Sequence, residues 1–297
     1  MKILLTGSSG FLGKILKNNF VNDEVLELNR KNGNFQYALE KEIPCFNHFF
    51  DLIIHCAGKA HSVPKTEIDK QEFYNVNVIG TVNLLKGLEN SGLPNRFVFI
   101  SSVSVYGLSS GNNINEDYPL LAKDPYGSSK IEAEELVQKW CNDNKVICTI
   151  LRLPLLVGKK PPGNLGSMVK AINKGYYFNI GGGAARKSMV LAKDVASFIS
   201  IVAPLGGIYN LTDGVHPSFN TLSLAISKNQ KEQFNLPLPI AKLIGKIGDF
   251  LGNKTPVNTQ KIKKITLDLT FDDSKARTLL NWKPQSVLDY LENESLD

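Results

Sequence analysis

Tyr126 and Lys130 form a pair of residues that could move a proton. They lie four residues apart in "YGSSK", so a helix would place both side chains on one face, one turn apart. An ammonium group beside a phenol favours the phenolate and lowers the phenol's pKa from its usual value of about 10. Tyr126 could then take a proton from an alcohol as a hydride leaves the same carbon. This spacing is common, and it gains weight from the hydroxyl-rich segment "FISSVSVYG" just before it and from the start of the chain.

The start of the chain predicts a binding site for a dinucleotide. In "LLTGSSGFLG", three glycines follow an apolar strand and open a helix. The first glycine allows the tight turn, the second lets a pyrophosphate approach the backbone, and the third lets the helix pack close to the strand. The phosphates would face the helix N-terminus. The cofactor contacts expected here are Gly7, Ser9, Gly10, Phe11, Leu12 and Gly13.

The end of the second strand bears on which dinucleotide binds. An NAD site usually has Asp or Glu there to accept a hydrogen bond from the ribose 2′-hydroxyl. Here "VLELNRK" offers Asn29 followed by Arg30. A neutral residue beside a guanidinium suits a 2′-phosphate and favours NADP(H) slightly. Arg30 could instead stack on the adenine or face solvent, and NAD(H) stays open.

Strand-like and helix-like segments alternate through the first half of the chain, from "KILLT" to "VICTILRLP". This alternation predicts an α/β fold, a Rossmann-type doubly wound parallel sheet with a smaller C-terminal substrate-binding lobe. We expect residues 1–155 to form the cofactor domain, with 186–211 returning to it because "MVLAKDVASFISIV" resembles a further strand and helix of the main sheet. Residues 156–185 and 212–297 would form the smaller domain.

The composition excludes several classes of function. The chain has 297 residues, a net charge of +6 and a pI near 9.0, which suits an anionic partner. The positive charge is diffuse, so we expect no nucleic-acid partner. Four cysteines form no CxxC pair and no zinc spacing, which predicts no metal site and a reducing compartment. With no signal peptide and no apolar run long enough to span a bilayer, we expect a cytoplasmic protein.

One amphipathic segment, "PIAKLIGKIGDFLG", has two interpretations. Its apolar side chains share one helical face, namely Ile240, Leu243, Ile244, Ile247, Phe250 and Leu251. A helix packed on the protein body is the favoured interpretation, and a helix on a membrane surface is the alternative. Lysines at positions 254, 261, 263 and 264 keep the second one open.

The motifs together resemble the extended short-chain dehydrogenase/reductase superfamily, and within it the nucleotide-sugar epimerase/dehydratase branch. They are "TGSSGFLG", "HCAG", "NVIGTVNLL", "FISSVSVYG", "YGSSK", "LRLP", "ARKSMVLAKDVASFI" and "FDDSKARTLLNWKP". The resemblance runs over nearly the whole chain. It implies an NAD(P) cofactor, a UDP-linked nucleotide-sugar substrate and a homodimer.

The resemblance also implies roles for individual residues. Ser102, Tyr126 and Lys130 would be catalytic, with Ser102 orienting the reacting oxygen. Ser101 would lie near the nicotinamide and Ser104 would face the sugar, although strand-end capping is an equal alternative for both. Further cofactor contacts would come from Cys56, Ala57, Gly58, Asn77, Ser101, Tyr126, Lys130, Leu153 and Pro154, with Lys130 holding the nicotinamide ribose. Substrate contacts would come from Lys59, His61, Ser104, Arg186 and Lys187, of which His61 could equally be a solvated loop residue.

At two positions this chain differs from enzymes of that branch, and both differences limit the reactions that it could catalyse. Sugar-nucleotide dehydratases have Asp-Glu where this chain has Val103 and Ser104, so 4,6-dehydration is disfavoured. Galactose epimerases have an asparagine where "LRLPLLVG" has Leu155. The chain looks closer to a surface-polysaccharide subgroup that contains 4-epimerases and 4-ketoreductases of UDP-4-keto-6-deoxy-N-acetylhexosamines.

We therefore expect an NAD(P)-dependent epimerase that acts at C4 of a UDP-sugar. A 4-ketoreductase that consumes NAD(P)H is the first alternative. A non-catalytic NAD(P)-binding sensor or scaffold is the distant alternative, because such proteins usually lose Tyr or Lys of the pair.

Overall fold

The computed structural model describes residues 1–60, 64–228, 232–251, 258–294 and 296. The predicted substrate contact His61 lies outside these residues, as do Lys254 and the side chain of Leu251.

The strands and helices alternate along the first half of the chain. The strands are β1 (Lys2–Thr6), β2 (Glu24–Asn29), β3 (Phe35–Gln36), β4 (Leu52–His55), β5 (Arg96–Ser102), β6 (Gly111–Ile114), β7 (Ile147–Leu153), β8 (Leu155–Val157), β9 (Phe178–Ile180), β10 (Met189–Leu191), β11 (Gly207–Asn210), β12 (Phe234–Leu236) and β13 (Leu269–Phe271). The α-helices are α1 (Phe11–Asn19), α2 (Glu67–Tyr74), α3 (Gly80–Ser91), α4 (Pro125–Asn144), α5 (Gly163–Asn173), α6 (Ala192–Val202), α7 (Phe219–Ile226), α8 (Leu238–Leu251), α9 (Thr259–Thr266), α10 (Ser274–Leu280) and α11 (Val287–Asn293). A π-helical turn (Asn75–Ile79) joins α2 to α3, and a short 3-10 helix (Val103–Tyr106) follows β5.

Seven strands form one parallel sheet in the order β11-β7-β5-β4-β1-β2-β3. The order reverses at β1, whose neighbours are β2 on one side and β4 on the other. In such a sheet, ligands bind at the carboxyl ends of the strands beside this reversal. The predicted fold class is confirmed.

Side chains alternate between the two faces of the sheet, and each face has its own apolar core. On β1, Ile3 and Leu5 belong to one buried cluster and Leu4 belongs to the other. The first cluster includes side chains of α1 and α6, and the second includes side chains of α3 and α4. Helices therefore cover both faces, as the near-continuous apolar runs of the strands predict.

The second half of the chain adds three two-stranded sheets, β10–β8, β12–β9 and β13–β6. The segment 186–211 contributes β11 to the edge of the main sheet, whereas β10 pairs with β8. The expectation that "MVL" joins the main sheet is therefore wrong. β11 supplies the last strand because its apolar residue Tyr209 packs into the core of that sheet. The predicted division into two domains stays a prediction.

The orientation of α8 corrects the favoured interpretation of the amphipathic segment. Its apolar stripe does not pack on the protein body, since Leu243 is 60% exposed and Phe250 is 92% exposed. The small residues Ala241, Gly245 and Gly248 are the buried ones. In the described part of the chain, no helix is long and apolar enough to cross a membrane.

Candidate active site

The predicted catalytic side chains come from two elements that meet at the carboxyl end of the sheet. Ser102 is the last residue of β5, and Tyr126 and Lys130 lie on the first turns of α4. Asp124 fixes where this helix begins, because its side chain accepts a hydrogen bond from Gly127 N at 3.1 Å and Pro125 follows at the first helical position. The Ser102 hydroxyl lies close enough to the Tyr126 phenol to act on that group's pKa. The structure thus brings all three predicted residues to one place.

Burial decides the protonation of Tyr126. It raises the pKa of the phenol, and the Ser102 hydroxyl opposes this only in part. The spacing with Lys130 predicted a lowered pKa for this phenol, and that prediction is wrong because the pKa is raised.

The Lys130 ammonium is held by the strand beside it. Its Nζ donates to Ile100 O at 2.7 Å and lies 4.3 Å from the centre of the Phe99 ring. Burial lowers the pKa of Lys130 to about 8, against the opposing effects of Cys56 and Glu134. The ammonium is therefore fixed beside the carboxyl end of β5.

A buried ion pair anchors α4 to the sheet. Glu134 lies one helical turn beyond Lys130 and is fully buried, and its carboxylate accepts from Arg152 Nη2 of β7 at 2.8 Å. Ser101 donates to the same carboxylate at 2.5 Å. This bond shows that the Ser101 hydroxyl helps to hold the helix, while its predicted contact with the nicotinamide stays a prediction.

The ion pair extends into a network that the sequence analysis missed. Arg152 Nη1 also donates to the Tyr106 hydroxyl at 3.1 Å, and that hydroxyl donates to Asn210 Oδ1 at 2.8 Å. Asn210 in turn binds the carbonyl oxygens of Ile114 and Asp272. No local signal could have found these partners, because Tyr106 and Asn210 are 104 residues apart.

Asn77 holds the loop after β4 against α4. It lies in the π-helical turn, a feature frequent at functional sites. Its Oδ1 accepts from Lys59 N at 2.7 Å, and its Nδ2 donates to Ser129 Oγ at 2.9 Å. The Lys59 ammonium pairs with Glu72 on α2. The predicted roles of Asn77 at the cofactor and of Lys59 at the substrate stay predictions.

A chain of buried hydrogen bonds connects this loop to the start of the glycine loop. Thr81 Oγ1 donates to Asn77 O at 2.6 Å, so at 3.0 Å it must accept from His55 Nε2. The other ring nitrogen of His55 therefore accepts from Thr6 Oγ1 at 2.7 Å, and Thr6 in turn accepts from Ala57 N. Burial lowers the pKa of His55 to about 3, which keeps the ring neutral.

The glycine loop has the close backbone packing that the motif predicts. Gly7 has a φ of +71°, and a Cβ there would lie 2.7 Å from the Ala57 backbone. A Cβ on Gly13 would lie 2.1 Å from Gly7 O. Helix α1 begins at Phe11 with its first amides directed at the loop. The turn and the helix N-terminus fit the pyrophosphate of a dinucleotide.

The remaining predicted cofactor residues lie around this loop. Cys56 follows β4 directly, and burial raises the pKa of its thiol to about 11. Gly58 borders Lys130, since a Cβ on it would lie 3.7 Å from the ammonium nitrogen. Leu153 ends β7 and Pro154 follows it. Their contacts with a cofactor stay predictions, as do those of Ser9, Phe11 and Leu12.

The side chains at the end of β2 form more hydrogen bonds and ion pairs than the sequence indicates. Asn29 is buried, and its Nδ2 donates to Ser8 Oγ at 2.7 Å and to Asn32 O at 3.0 Å. Ser8 donates in turn to the Glu27 carboxylate at 2.5 Å. Arg30 pairs with Glu40 at 3.0 Å. Glu27 is a carboxylate beside the glycine loop that the sequence analysis missed, because it lies inside the strand.

The predicted substrate residues outside the loop lie on two segments. Ser104 lies at the start of the 3-10 helix after β5, where its N donates to Ser102 Oγ at 3.1 Å and its Oγ accepts from Ser102 Oγ at 3.2 Å. Lys187 Nζ donates to Leu267 O at 2.8 Å, and burial lowers its pKa to about 8. Arg186 is exposed beside it, with its N bonded to Asp268. No group of three His, Cys, Asp or Glu side chains in the described ranges could hold a metal ion.

Curated proteins similar to this chain include two sugar epimerases. An N-acetyl-alpha-D-glucosaminyl-diphospho-ditrans,octacis-undecaprenol 4-epimerase from Escherichia coli O157:H7 is 28% identical over 93% of this chain and 88% of its own length. A UDP-glucose 4-epimerase from Vibrio cholerae is 28% identical over 96% of this chain and 92% of its own length.

The solved structure of the UDP-Glc/GlcNAc 4-epimerase from Campylobacter jejuni has the same fold, with a TM-score of 0.75 at 20% identity over 100% of this chain and 98% of that one. Residues 3–211, which contain the glycine loop and the Ser102–Tyr126–Lys130 group, match the description "NAD dependent epimerase/dehydratase family". The chain belongs to the NAD dependent epimerase/dehydratase family.

Proposed function

We propose that this protein is an NAD(P)-dependent epimerase that inverts C4 of a UDP-linked sugar. One observation carries the proposal: Ser102, Tyr126 and Lys130 meet at the carboxyl end of the sheet, next to a glycine loop built for a dinucleotide. The names of the two curated relatives support C4 as the reacting carbon and a diphosphate-linked sugar as the substrate.

The side chains have distinct tasks in this reaction. When bound, a nicotinamide dinucleotide would supply the chemistry for removing a hydride from C4 and for returning it. Tyr126 takes the proton of the 4-hydroxyl and gives it back, while Ser102 donates to the reacting oxygen and orients it. The Lys130 ammonium adds positive charge next to the cofactor. Inversion follows if the keto sugar turns over between the two transfers.

The absence of an acid–base pair supports an epimerase over a dehydratase. Loss of water from C5 and C6 needs a proton donor and acceptor above the sugar. At the two positions where related dehydratases have carboxylates, this chain has Val103 and Ser104, and neither side chain is a carboxylic acid. We therefore propose that the enzyme performs no 4,6-dehydration.

A 4-ketoreductase would use the same side chains, and product analysis separates it from an epimerase. The purified enzyme is incubated with UDP-sugars and their 4-keto forms while absorbance at 340 nm and NMR spectra are recorded. Interconversion of C4 epimers without net loss of NAD(P)H is the expected result. Stoichiometric consumption of NAD(P)H would indicate the reductase, and no turnover of any sugar would refute the proposal.

The variant Tyr126→Phe tests the catalytic assignment. Loss of the acid–base hydroxyl should lower kcat by about 10²–10⁴-fold while cofactor binding and Tm stay unchanged. The matched control is Tyr176→Phe, which removes the hydroxyl of a tyrosine that is 58% exposed outside the site. An unchanged kcat in Tyr126→Phe would refute the acid–base role of its hydroxyl, and unchanged biological activity of the variant would favour the non-catalytic sensor or scaffold.

We further propose that NADP(H) is the preferred cofactor. The support is the neutral Asn29 beside the Arg30 guanidinium, which can leave its exposed pair with Glu40 to meet a 2′-phosphate. The variant Arg30→Ala should weaken NADPH binding by about tenfold, the worth of one charge-assisted hydrogen bond, and leave NADH binding unchanged. Equal weakening of both cofactors would indicate that Arg30 contacts the adenine.

The remaining assignments are proposals with the same basis. Lys59, Ser104, Arg186 and Lys187 would contact the sugar diphosphate, and residues 156–185 with 212–297 would form the substrate domain. The apolar cluster around α5, α7 and α11 takes most of its side chains from these two segments, which supports this division. A homodimer is proposed from the resemblance and is tested by light scattering. The four unpaired cysteines support a cytoplasmic location.

A further inference from the structure

Helix α8 presents its large apolar side chains to solvent. In most helices of a water-soluble domain the apolar stripe faces the core. On α8 the stripe points outward, with exposed fractions of 49% for Ile240, 60% for Leu243, 41% for Ile244, 52% for Ile247 and 92% for Phe250.

The side of α8 that packs on the protein is made of small residues. A Cβ on Gly245 would lie 2.7 Å from Ile262 Cδ1 and 3.2 Å from Thr259 Cα, so a larger residue there would require the Ile262 side chain and the start of α9 to shift. Ala241 and Ile262 are buried in the same contact region. The α8–α9 pair is thus held together by its inner face, and the apolar stripe is left for another surface.

The charges of α8 and α9 are mostly positive. Between residues 238 and 266 the sequence has six lysines and a single acidic residue, Asp249. The Asp249 carboxylate accepts from Thr259 N at 3.2 Å and so serves the start of α9. Among the described residues, Lys242, Lys246, Lys263 and Lys264 form no ion pair.

This combination fits a lipid surface better than a second copy of the chain. A twofold interface places the same patch of both copies face to face, which would set lysines against lysines. An anionic bilayer surface offers negative headgroups to the lysines and an apolar layer to the stripe.

The surface formed by α8 and α9 lies next to the residues proposed to contact the substrate diphosphate. Leu267, the residue after α9, is 42% exposed, and its carbonyl oxygen accepts from Lys187 Nζ at 2.8 Å. Its neighbour Asp268 accepts from Arg186 N. A protein resting on this surface would hold both cations close to the lipid headgroups.

We propose that α8 and α9 form a docking surface for anionic membranes, in which the apolar stripe of α8 enters the headgroup region and the lysines meet the lipid phosphates. The docking goes beyond the proposed function and does not depend on it.

Flotation with vesicles tests the docking. The full chain should float with vesicles of phosphatidylglycerol and phosphatidylethanolamine and stay unbound with vesicles of phosphatidylcholine alone. Leu243→Gln/Ile247→Gln should weaken the partitioning by about a hundredfold, because two apolar side chains leave the lipid. Lys263→Gln/Lys264→Gln should weaken it by about thirtyfold, and added salt should do the same to the wild type.

Matched controls keep the test specific. Ile201→Gln/Leu205→Gln alters two equally exposed apolar side chains elsewhere, and Lys70→Gln/Lys139→Gln alters two other exposed lysines. Both should float like the wild type. All variants should keep the wild-type Tm and the wild-type turnover of a soluble UDP-sugar.

Three results are decisive. Turnover of the UDP-sugar without flotation would overturn the docking and leave the proposed function intact. Flotation without turnover would support the docking and count against the proposed function. An oligomer in solution that Leu243→Gln/Ile247→Gln dissociates, with no flotation, would overturn the docking in favour of a second copy.

Discussion

The buried ion pair between Glu134 and Arg152 should show strong energetic coupling. The Glu134 carboxylate accepts at 2.8 Å from Arg152 Nη2, at 3.2 Å twice from Arg152 Nε, and at 2.5 Å from Ser101 Oγ. The side chains of Glu134 and Arg152 are 0% and 4% exposed, so water cannot replace a lost partner. Burial alone would lower the pKa of Arg152, but its hydrogen bonds and charge pairing with Glu134 hold the pKa above the usual value.

Removal of one partner leaves the other charge buried without compensation. We expect Glu134→Gln and Arg152→Met each to lower the free energy of unfolding by about 3–5 kcal/mol, a large part of the stability of a typical domain. Arg152→Met should lower the free energy of unfolding more than Glu134→Gln does, because it also loses the hydrogen bonds to Tyr106 and to Glu116 O. In the double variant no unpaired charge remains. Its loss of unfolding free energy should therefore be smaller than the sum of the losses in the two single variants by about 2 kcal/mol or more.

Urea unfolding of the four proteins measures this coupling. The exposed pair Lys139–Asp143 on the same helix is the matched control, and its double-mutant cycle should give about 0.5 kcal/mol or less. Glu134→Gln should also reduce kcat, because the ion pair lies two turns from Tyr126 on the helix that positions it. Additive losses below about 1 kcal/mol for each single variant would refute the reasoning.

Two further variants test the glycine loop and the buried lysine. Gly13→Ala should abolish NAD(P)H binding in a fluorescence titration, because the new Cβ would lie 2.1 Å from Gly7 O; binding at wild-type affinity would contradict the packing described here. Lys130 has a pKa of about 8 in the folded protein against an ordinary value near 10.5, so the unfolded chain binds its proton more tightly and stability should rise with pH between these values. The free energy of unfolding at pH 10 minus that at pH 7 should therefore be smaller in Lys130→Met than in the wild type by up to about 3 kcal/mol, and an equal difference in both proteins would refute this.

Local motifs were predicted well from the sequence because their geometry depends on neighbouring residues. The tight turn at Gly7 and the placement of Tyr126 and Lys130 on one helical face follow from spacing alone. The effect of Lys130 on the pKa of Tyr126 was predicted wrongly, because burial of the phenol depends on the surrounding strands and loops. The engagement of Asn29 with Ser8 was also missed, since it depends on how two loops meet.

The sequence by itself determined the alternation of strands and helices in the first half of the chain, the glycine loop, the candidate catalytic group and the family, because each is encoded in residue types at short spacings. Only the tertiary structure decided which residues support that group: Glu134 finds Arg152, and Tyr106 finds Asn210, by contacts between distant segments. It also decided which way α8 faces. Periodicity shows that a helix has an apolar stripe, but the close packing of Gly245 on Ile262 directs that stripe away from the protein.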